Sequence, residues 1–164
     1  MSKEDLTAKL TGRLHALADA HALVRRRFDQ MPWEGADFAE ILARILLPHG
    51  EGRAVVRGPG LSVGQRATDS LALLFYELAT NAAKYGSLSV EQGAVEVTWE
   101  AKENDVRLQW REAGGPITKP PGKHGFGVRL VNSATEQLGG KIEYNWRPEG
   151  LIARLRLPIA SLGK

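Results

Sequence analysis

The apolar residues of this chain change their spacing near residue 50, and this change limits the folds that the chain can adopt. Over residues 6–28 and 38–46 the apolar positions recur three or four residues apart, which predicts two amphipathic helices. Pro48 ends the second helix, because proline has no amide hydrogen to continue the hydrogen-bond ladder. After residue 50, short runs of alternating apolar and polar residues predict strands. We therefore expect a helical segment over residues 1–50 and a mixed domain over residues 51–164.

The mixed domain is expected to contain both helices and hairpins. Helical spacing predicts a long helix over residues 64–85 and a shorter one over residues 126–138, which a pair of glycines ends. Period-two alternation predicts strands over residues 53–57, 95–99, 106–110, 142–146 and 151–157. Helices that cover one face of a mixed, mostly antiparallel sheet form a two-layer sandwich. The predicted fold class is therefore α+β, preceded by the helical segment.

Composition narrows the classes of protein to which the chain can belong. A chain of 164 residues with 43% hydrophobic and 25% charged residues can bury the core of one or two domains. The chain has no cysteine, which excludes disulfides and thiolate metal sites, and its longest apolar run is too short to span a membrane. The net charge is only +3 and the basic residues are spread among acids, so we expect no nucleic-acid partner. A cytoplasmic protein is expected.

Three polar residues form a stripe on the long predicted helix. Glu77, Asn81 and Lys84 stand at i, i+4 and i+7, beside the apolar positions of the same helix. The amide oxygen of Asn81 suits a magnesium ion, the ammonium of Lys84 suits a phosphate, and the carboxylate of Glu77 can accept a proton. Spacing alone favours a solvated helix face instead. Asn81 argues for the site, since a mid-helix asparagine costs about 0.5 kcal/mol relative to alanine.

A carboxylate followed by two glycines stands where a predicted strand ends. Glu112 closes the strand, and Gly114 and Gly115 follow it. Glycines let a backbone approach a ligand closely, and a carboxylate can accept a hydrogen bond from an exocyclic amine such as that of adenine. A plain turn explains the same residues equally well.

Glycines also open the second predicted helix. Gly125, Phe126 and Gly127 begin it, and Arg129 lies in its first turn. Free amides and the positive end of the helix dipole bind phosphate oxygens. Residues 116–124, rich in proline, glycine and lysine, are expected to form a mobile cover over that site. A single Gly-x-Gly motif is by itself weak evidence.

These patterns, taken in order, resemble the ATP-binding catalytic domain of HWE-family sensor histidine kinases, in the GHKL superfamily shared with gyrase and the mismatch-repair ATPases. The segment from Glu77 to Gly86 reads Glu-Leu-Ala-Thr-Asn-Ala-Ala-Lys-Tyr-Gly and is similar to the N box. Trp110-Arg111-Glu112 is similar to the Trp-x-Glu signature, and Gly125-Phe126-Gly127 is similar to the second glycine box. Residues 13–33 resemble the later helix of the dimerisation and phosphotransfer hairpin.

The resemblance implies ATP and Mg2+ as cofactors, and it implies roles for the residues named above. Asn81 is expected to hold the magnesium ion, with Glu77 as general base and Glu112 at adenine. The other nucleotide-binding residues that the resemblance implies are Lys84, Tyr85, Gly114, Gly125, Phe126, Gly127 and Arg129.

The resemblance also implies a protein histidine kinase that passes its phosphate to a response-regulator receiver domain and forms a homodimer through its N-terminal helices. The chain departs from the family in two ways. Tyr76 stands where the family has a histidine before the N box, and the phosphoacceptor histidine of the earlier hairpin helix is absent. Either the chain is a fragment or it lacks autophosphorylation in cis. A non-catalytic ATP-binding regulatory module and an ATPase of the same superfamily remain alternatives.

Overall fold

The computed structural model describes residues 3–8, 10–12, 36–50, 52–116 and 126–163. Residues 3–8 and 10–12 are helical, and the elements after them are numbered in chain order. These elements are β1 (Ala36–Asp37), α1 (Phe38–Leu46), a short 3₁₀ helix (Leu47–His49), β2 (Ala54–Arg57), β3 (Ser62–Val63), α2 (Gln65–Tyr85), a second 3₁₀ helix (Ser87–Ser89), β4 (Ala94–Lys102), β5 (Asp105–Ala113), α3 (Phe126–Gln137), β6 (Lys141–Arg147), β7 (Gly150–Pro158) and α4 (Ile159–Leu162).

Five strands form a mixed sheet in the order β2-β4-β5-β7-β6. β2 runs parallel to β4, and the other neighbouring pairs are antiparallel. The two predicted hairpins, β4–β5 and β6–β7, are therefore present. In the tight turn of the first, Glu103 has a φ of 58°, as such turns require. β1 and β3 form a separate antiparallel pair. The helices cover one face of the sheet, which confirms the predicted α+β sandwich.

The core lies between α2 and the inner face of the sheet. Trp110 of β5 stacks on Phe75 of α2, with ring centroids 6.2 Å apart. Burying one large apolar side chain contributes about 1.5–3 kcal/mol, so the apolar face of α2 holds the helix firmly on the sheet. This packing also fixes the direction of the polar stripe on α2. The buried apolar residues of α2 are Ala67, Leu71, Ala72, Leu74, Phe75, Leu78, Ala79 and Ala82.

The hydrophobic core extends across the boundary expected at residue 50. Phe38, the first residue of α1, is fully buried and meets Trp99 edge to face, with ring centroids 4.9 Å apart. It also contacts Phe75 of α2 edge to face. β1 pairs with β3, on the other side of that boundary. The buried residues of β1 and α1 therefore share one core with the sheet.

The N-terminal helical residues carry exposed apolar side chains. Leu6 is 42% exposed and Leu10 is 44% exposed, while Gly12 lies against the ring of Tyr76 on α2. The rest of the helix predicted over residues 6–28 lies outside the described residues. Among the helices that the structure describes, none is both long and apolar enough to cross a membrane.

Candidate functional site

The polar stripe on α2 passes from the core to the surface toward the C-terminal end of the helix. Glu77 is 0% exposed, Asn81 one turn later is partly buried, and Lys84 is exposed. A solvated helix face, the alternative that spacing favours, does not fit a completely buried carboxylate, because burying a charged group is costly. Tyr85, which is 73% exposed, ends the helix. The stripe therefore leads to an open surface that a ligand can reach.

Glu112 lies near the end of β5 and is only 4% exposed. Its Oε1 accepts a hydrogen bond from the backbone N–H of Ser87 at 3.0 Å, and its Oε2 accepts one from Nε1–H of Trp110 at 3.1 Å. Burial raises the pKa of Glu112, while these hydrogen bonds act in the opposite direction. The carboxylate thus ties β5 to residues 86–93, termed the α2–β4 loop. Its contact with adenine stays a prediction, and an adenine amine would share the carboxylate with these two donors.

Glycines allow the close approach of β5 to the α2–β4 loop. A β-carbon on Gly86 would overlap the carboxylate of Glu112, and one on Gly115 would overlap the backbone of Ser87. Gly114 has a φ of 78°, which side chains rarely tolerate. Gly114 and Gly115, which the sequence analysis expected beside a ligand, lie where the strand end packs against the α2–β4 loop.

Arg53, just before β2, holds the α2–β4 loop from another side. Its Nε donates to the carbonyl of Gly93 at 3.2 Å, and its guanidinium also donates to the carbonyl of Val90. Its Nη1 donates to the carbonyl of His49 at 3.3 Å. Burial and the nearby Arg53 charge lower the pKa of His49. Sequence reasoning missed Arg53, because its partners are backbone carbonyls, two of them 37 and 40 residues away, and backbone carbonyls leave no side-chain pattern in the sequence.

α3 packs beside α2 in the antiparallel direction. Ser70 near the start of α2 hydrogen-bonds through Oγ to Oε1 of Gln137 at the end of α3, at 3.4 Å. Eleven residues separate Ser70 from Asn81, and eleven separate Phe126 from Gln137. Because both helices have the same rise per residue, an antiparallel alignment would place the first turn of α3 near Asn81. Arg129 is exposed near this end of α3.

The predicted glycine box is described only in part. Gly125 lies outside the described residues, and Phe126 and Gly127 are described by their backbone, which forms the first turn of α3. The first amides of a helix have no partner within it, and the helix dipole makes that end positive. An anion can therefore bind there. The exposed side chains of Lys84 and Arg129 supply cations on the two neighbouring helices.

This arrangement suits a polyphosphate that carries a magnesium ion. Magnesium takes few protein ligands and keeps phosphate and water oxygens, so the amide oxygen of Asn81 fits it as a protein ligand. The helix start and the basic side chains fit the phosphates. Glu112, between β5 and the α2–β4 loop, is the candidate residue for the other side of such a site.

Comparison with known proteins gives two matches to family models. The model described as "Histidine kinase-, DNA gyrase B-, and HSP90-like ATPase" matches residues 67–161, and the model for HWE histidine kinases matches residues 1–60. The chain is 37% identical over 155 residues to a blue-light-activated histidine kinase of Brucella ovis, and 38% identical over 157 residues to that of Brucella anthropi. These alignments cover 90% and 91% of this chain but 31% of each relative, so the chain spans under a third of their length.

Solved structures with the same fold are also histidine kinases. The histidine kinase domain of the Erythrobacter litoralis EL346 blue-light activated histidine kinase superposes with a TM-score of 0.70 at 19% identity. That match covers 92% of this chain and 76% of the other. The mycobacterial sensor histidine kinase MprB superposes with a TM-score of 0.56 at 19% identity, covering 75% of this chain and 96% of the other. At these identities the likeness shows the fold.

Proposed function

Because this chain belongs to the family of histidine kinase-, DNA gyrase B- and HSP90-like ATPases, we propose that it is the ATP-binding catalytic part of a sensor histidine kinase. The observation that supports the proposal is the buried hydrogen bond between Glu112 at the end of β5 and Ser87, just after the helix that carries Asn81. We place the first turn of α3, which packs beside α2, at the same site. The similarity to blue-light-activated histidine kinases favours transfer of the γ-phosphate to a histidine.

In the proposed complex, the phosphates lie between α2 and α3. Asn81 would ligate Mg2+, and the ion would neutralise charge on the phosphate oxygens. Lys84, Arg129 and the amides of residues 125–127 would bind the phosphate oxygens. The charge of the triphosphate is then matched by groups on both helices.

The adenine end would lie toward β5 and the α2–β4 loop. Glu112 would accept a hydrogen bond from the exocyclic amine through a lone pair that its two present donors leave available, since each carboxylate oxygen has two. Gly114 lets the backbone approach the base, and the exposed ring of Tyr85 would cover it from the end of α2.

The proposed reaction transfers one phosphoryl group in line. An imidazole nitrogen forms a bond to the γ-phosphorus, the bond from that phosphorus to the β–γ bridging oxygen breaks, and ADP leaves. The proton leaves the other imidazole nitrogen, and Glu77 is the candidate base. The chain contributes mainly positioning and charge neutralisation, as phosphoryl transfer requires.

The acceptor and the partners are further parts of this proposal, since the chain spans 31% of the length of its curated relatives. We infer that the acceptor histidine lies on a hairpin helix outside this chain. The match of residues 1–60 to the HWE model and the exposed Leu6 and Leu10 support a homodimer through the N-terminal helices. A response-regulator receiver domain would take the phosphate next. The need for ATP points to the cytoplasm.

The proposal is tested by mixing the chain with a hairpin polypeptide that carries an acceptor histidine, and then measuring ATP binding by calorimetry and phosphohistidine from γ-labelled ATP. We expect both, and we expect Asn81→Ala to abolish transfer. Asn145→Ala, on the opposite face of the sheet, is the matched control and should behave as the wild type. Binding without transfer would favour the regulatory module, and phosphate release without acceptor would favour an ATPase. Absence of ATP binding by the folded chain would overturn the proposal.

A further inference from the structure

The outer face of the five-stranded sheet, which points away from the helices, concentrates the positive charge of this chain. On each strand, alternate side chains face the core and the remaining ones form this outer face. The outer face carries eight basic and four acidic side chains. This excess of basic residues is larger than the net charge of +3 of the whole chain. Basic residues are spread along the sequence, but in the folded chain the outer face of the sheet has more basic than acidic side chains.

Three of these basic residues stand side by side across three strands. Arg107 of β5 is directly opposite Arg156 of β7, and Arg156 is directly opposite Lys141 of β6. We call Arg107, Arg156 and Lys141 the cation row. Like charges at directly opposite positions destabilise a sheet, so the row has an unfavourable electrostatic energy that an anion would relieve.

Acidic neighbours compensate the cation row only in part. Asp105 forms an ion pair with Arg156 at 2.7 Å, although the Arg156 side chain remains 62% exposed. Glu100 stands opposite Arg107 at the β4 end of the row. Among the described residues, no carboxylate forms an ion pair with Arg107 or Lys141, and both side chains are exposed. Two cations of the row are therefore open to a partner.

The surface around the cation row is concave. A depression of about 690 Å³ includes the row and is also lined by Gln109, Glu143 and Arg154. Arg154, exposed on β7, adds a fourth cation beside the row. A shallow trough that crosses several strands suits an elongated partner.

We propose that this outer face binds an acidic helix of a protein partner, laid across the strands. Neighbouring strands are about 4.8 Å apart, and the backbone positions of the row, which stand directly opposite one another, follow at about this interval. Residues three or four apart on a helix are about 5–6 Å apart, whereas same-face residues on an extended strand are about 6.6–7 Å apart. Carboxylates at i, i+4 and i+7 of a helix therefore match the spacing of Arg107, Arg156 and Lys141.

The mixed charge of the surroundings favours a helix over a nucleic acid. Glu100 and Glu143 flank the cation row. The uniform negative charge of a nucleic-acid backbone that crosses the row would lie close to both carboxylates and be repelled by them. A helix with acids on one short stretch can meet the cation row and place other residues beside these carboxylates. The inference is separate from the proposed function, because the helices that bear the nucleotide site lie on the other face of the sheet.

The test uses the full chain and a capped alanine-based peptide with glutamate at i, i+4 and i+7 along one face. Binding is measured by fluorescence anisotropy of a labelled peptide. We expect saturable binding that weakens with added salt, and no binding of the same peptide with glutamine in place of glutamate. The double variant Arg107→Glu/Lys141→Glu should bind at least about tenfold more weakly.

Arg44→Glu/Arg66→Glu is the matched control, since it makes the same change of net charge at two exposed helix positions away from the outer face. We expect it to bind the peptide within about twofold of the wild type, because only charges close to the peptide act strongly on it. Equal weakening in the two double variants would overturn the proposal by showing non-specific attraction. So would absence of peptide binding, or tighter binding of a DNA duplex than of the peptide. Circular dichroism of each variant verifies that it is folded.

Discussion

The carboxylate of Glu112 and the backbone amide of Ser87 are joined by a hydrogen bond of 3.0 Å that connects β5 to the α2–β4 loop. Both residues are buried, so water competes little for this bond. The other carboxylate oxygen is held by Trp110, whose ring stacks on Phe75 of α2. The strand end, the loop and the long helix are therefore linked through one side chain, and the shape of the proposed adenine site depends on the packing of the core.

The first prediction concerns the loss of that side chain. Glu112→Ala leaves the N–H of Ser87 and the Nε1–H of Trp110 buried without acceptors, which costs about 1–3 kcal/mol for each. We expect the free energy of unfolding in urea to fall by about 2–5 kcal/mol. Glu100→Ala, exposed on the same sheet, should change it by less than about 0.5 kcal/mol. Similar losses in both variants would contradict the role given to Glu112.

The second prediction concerns the pH dependence of stability. Burial raises the pKa of Glu112 above its ordinary value of 4.5, so the folded state holds the proton more tightly than the unfolded state. This contribution to stability is fully present below pH 4.5 and is lost as the pH rises through the raised pKa.

The test of this pH dependence is the variant Glu112→Gln, which cannot titrate. The free energy of unfolding of both proteins is measured at a series of pH values from below 4.5 upward. We expect the wild type to lose stability relative to the variant as the pH rises. A difference that is constant over this range, or that changes in favour of the wild type, would refute the prediction.

Much of the fold follows from periodicity in the sequence. The spacing of apolar residues predicts α2 because its buried face is long and regular, and alternation predicts both hairpins because each strand has one face in the core. β1 and β3 escape this reasoning, since two residues cannot display a period. The inclusion of α1 in the core of the sheet is equally invisible, because an apolar helix face does not specify its partner.

The candidate site is predictable where its residues share one element. Glu77 and Asn81 are one turn apart on α2, and helix geometry alone places them on the same face. The bond between Glu112 and Ser87, and the contacts of Arg53, join residues that are distant in sequence through backbone atoms. Because every residue has the same backbone atoms, residue types do not reveal which backbone groups these side chains contact, and the contacts cannot be predicted from the sequence.

The third prediction tests the close approach of α2 to β5. A β-carbon on Gly86 would overlap the carboxylate of Glu112, so Gly86→Ala must displace that side chain or the loop. We expect a loss of about 1–3 kcal/mol in the free energy of unfolding, together with weaker ATP binding. At Gly60 a β-carbon would meet open space, so Gly60→Ala should be neutral or slightly stabilising. An effect of Gly86→Ala no larger than that of Gly60→Ala would disprove the close contact.

The fourth prediction assigns a positioning role to Arg53. Arg53→Met removes the donors to the carbonyls of Gly93, Val90 and His49, and we expect it to lower the free energy of unfolding by about 2–4 kcal/mol. Arg57→Met, at an exposed position on β2, is the matched control and should cost less than about 0.5 kcal/mol.

If Arg53 positions the α2–β4 loop, its replacement should also change the affinity of the chain for ATP. Arg53→Lys keeps the charge but cannot form the same fork of hydrogen bonds. At a temperature where this variant is fully folded, the affinity for ATP should still be reduced, because the α2–β4 loop holds Glu112. An unchanged affinity in a folded Arg53→Lys variant would limit Arg53 to a role in stability.

The last prediction concerns the phenol of Tyr144, which packs against the core from β6. Its hydroxyl oxygen is buried and has no hydrogen-bond partner among the described residues, and burial raises its pKa from 10.0 to about 12. Tyr144→Phe removes an unsatisfied polar atom and should leave stability unchanged or raise it by about 1 kcal/mol at neutral pH.

The wild type should also lose stability as the pH rises from 10.0 toward 12, since only the unfolded state releases the proton of Tyr144 readily there. Urea unfolding at both ends of this range should therefore show a growing advantage of Tyr144→Phe, whereas Tyr85→Phe, at a side chain that is 73% exposed, should follow the wild type. A clear loss of stability in Tyr144→Phe at neutral pH would mean that the hydroxyl makes a favourable contact after all.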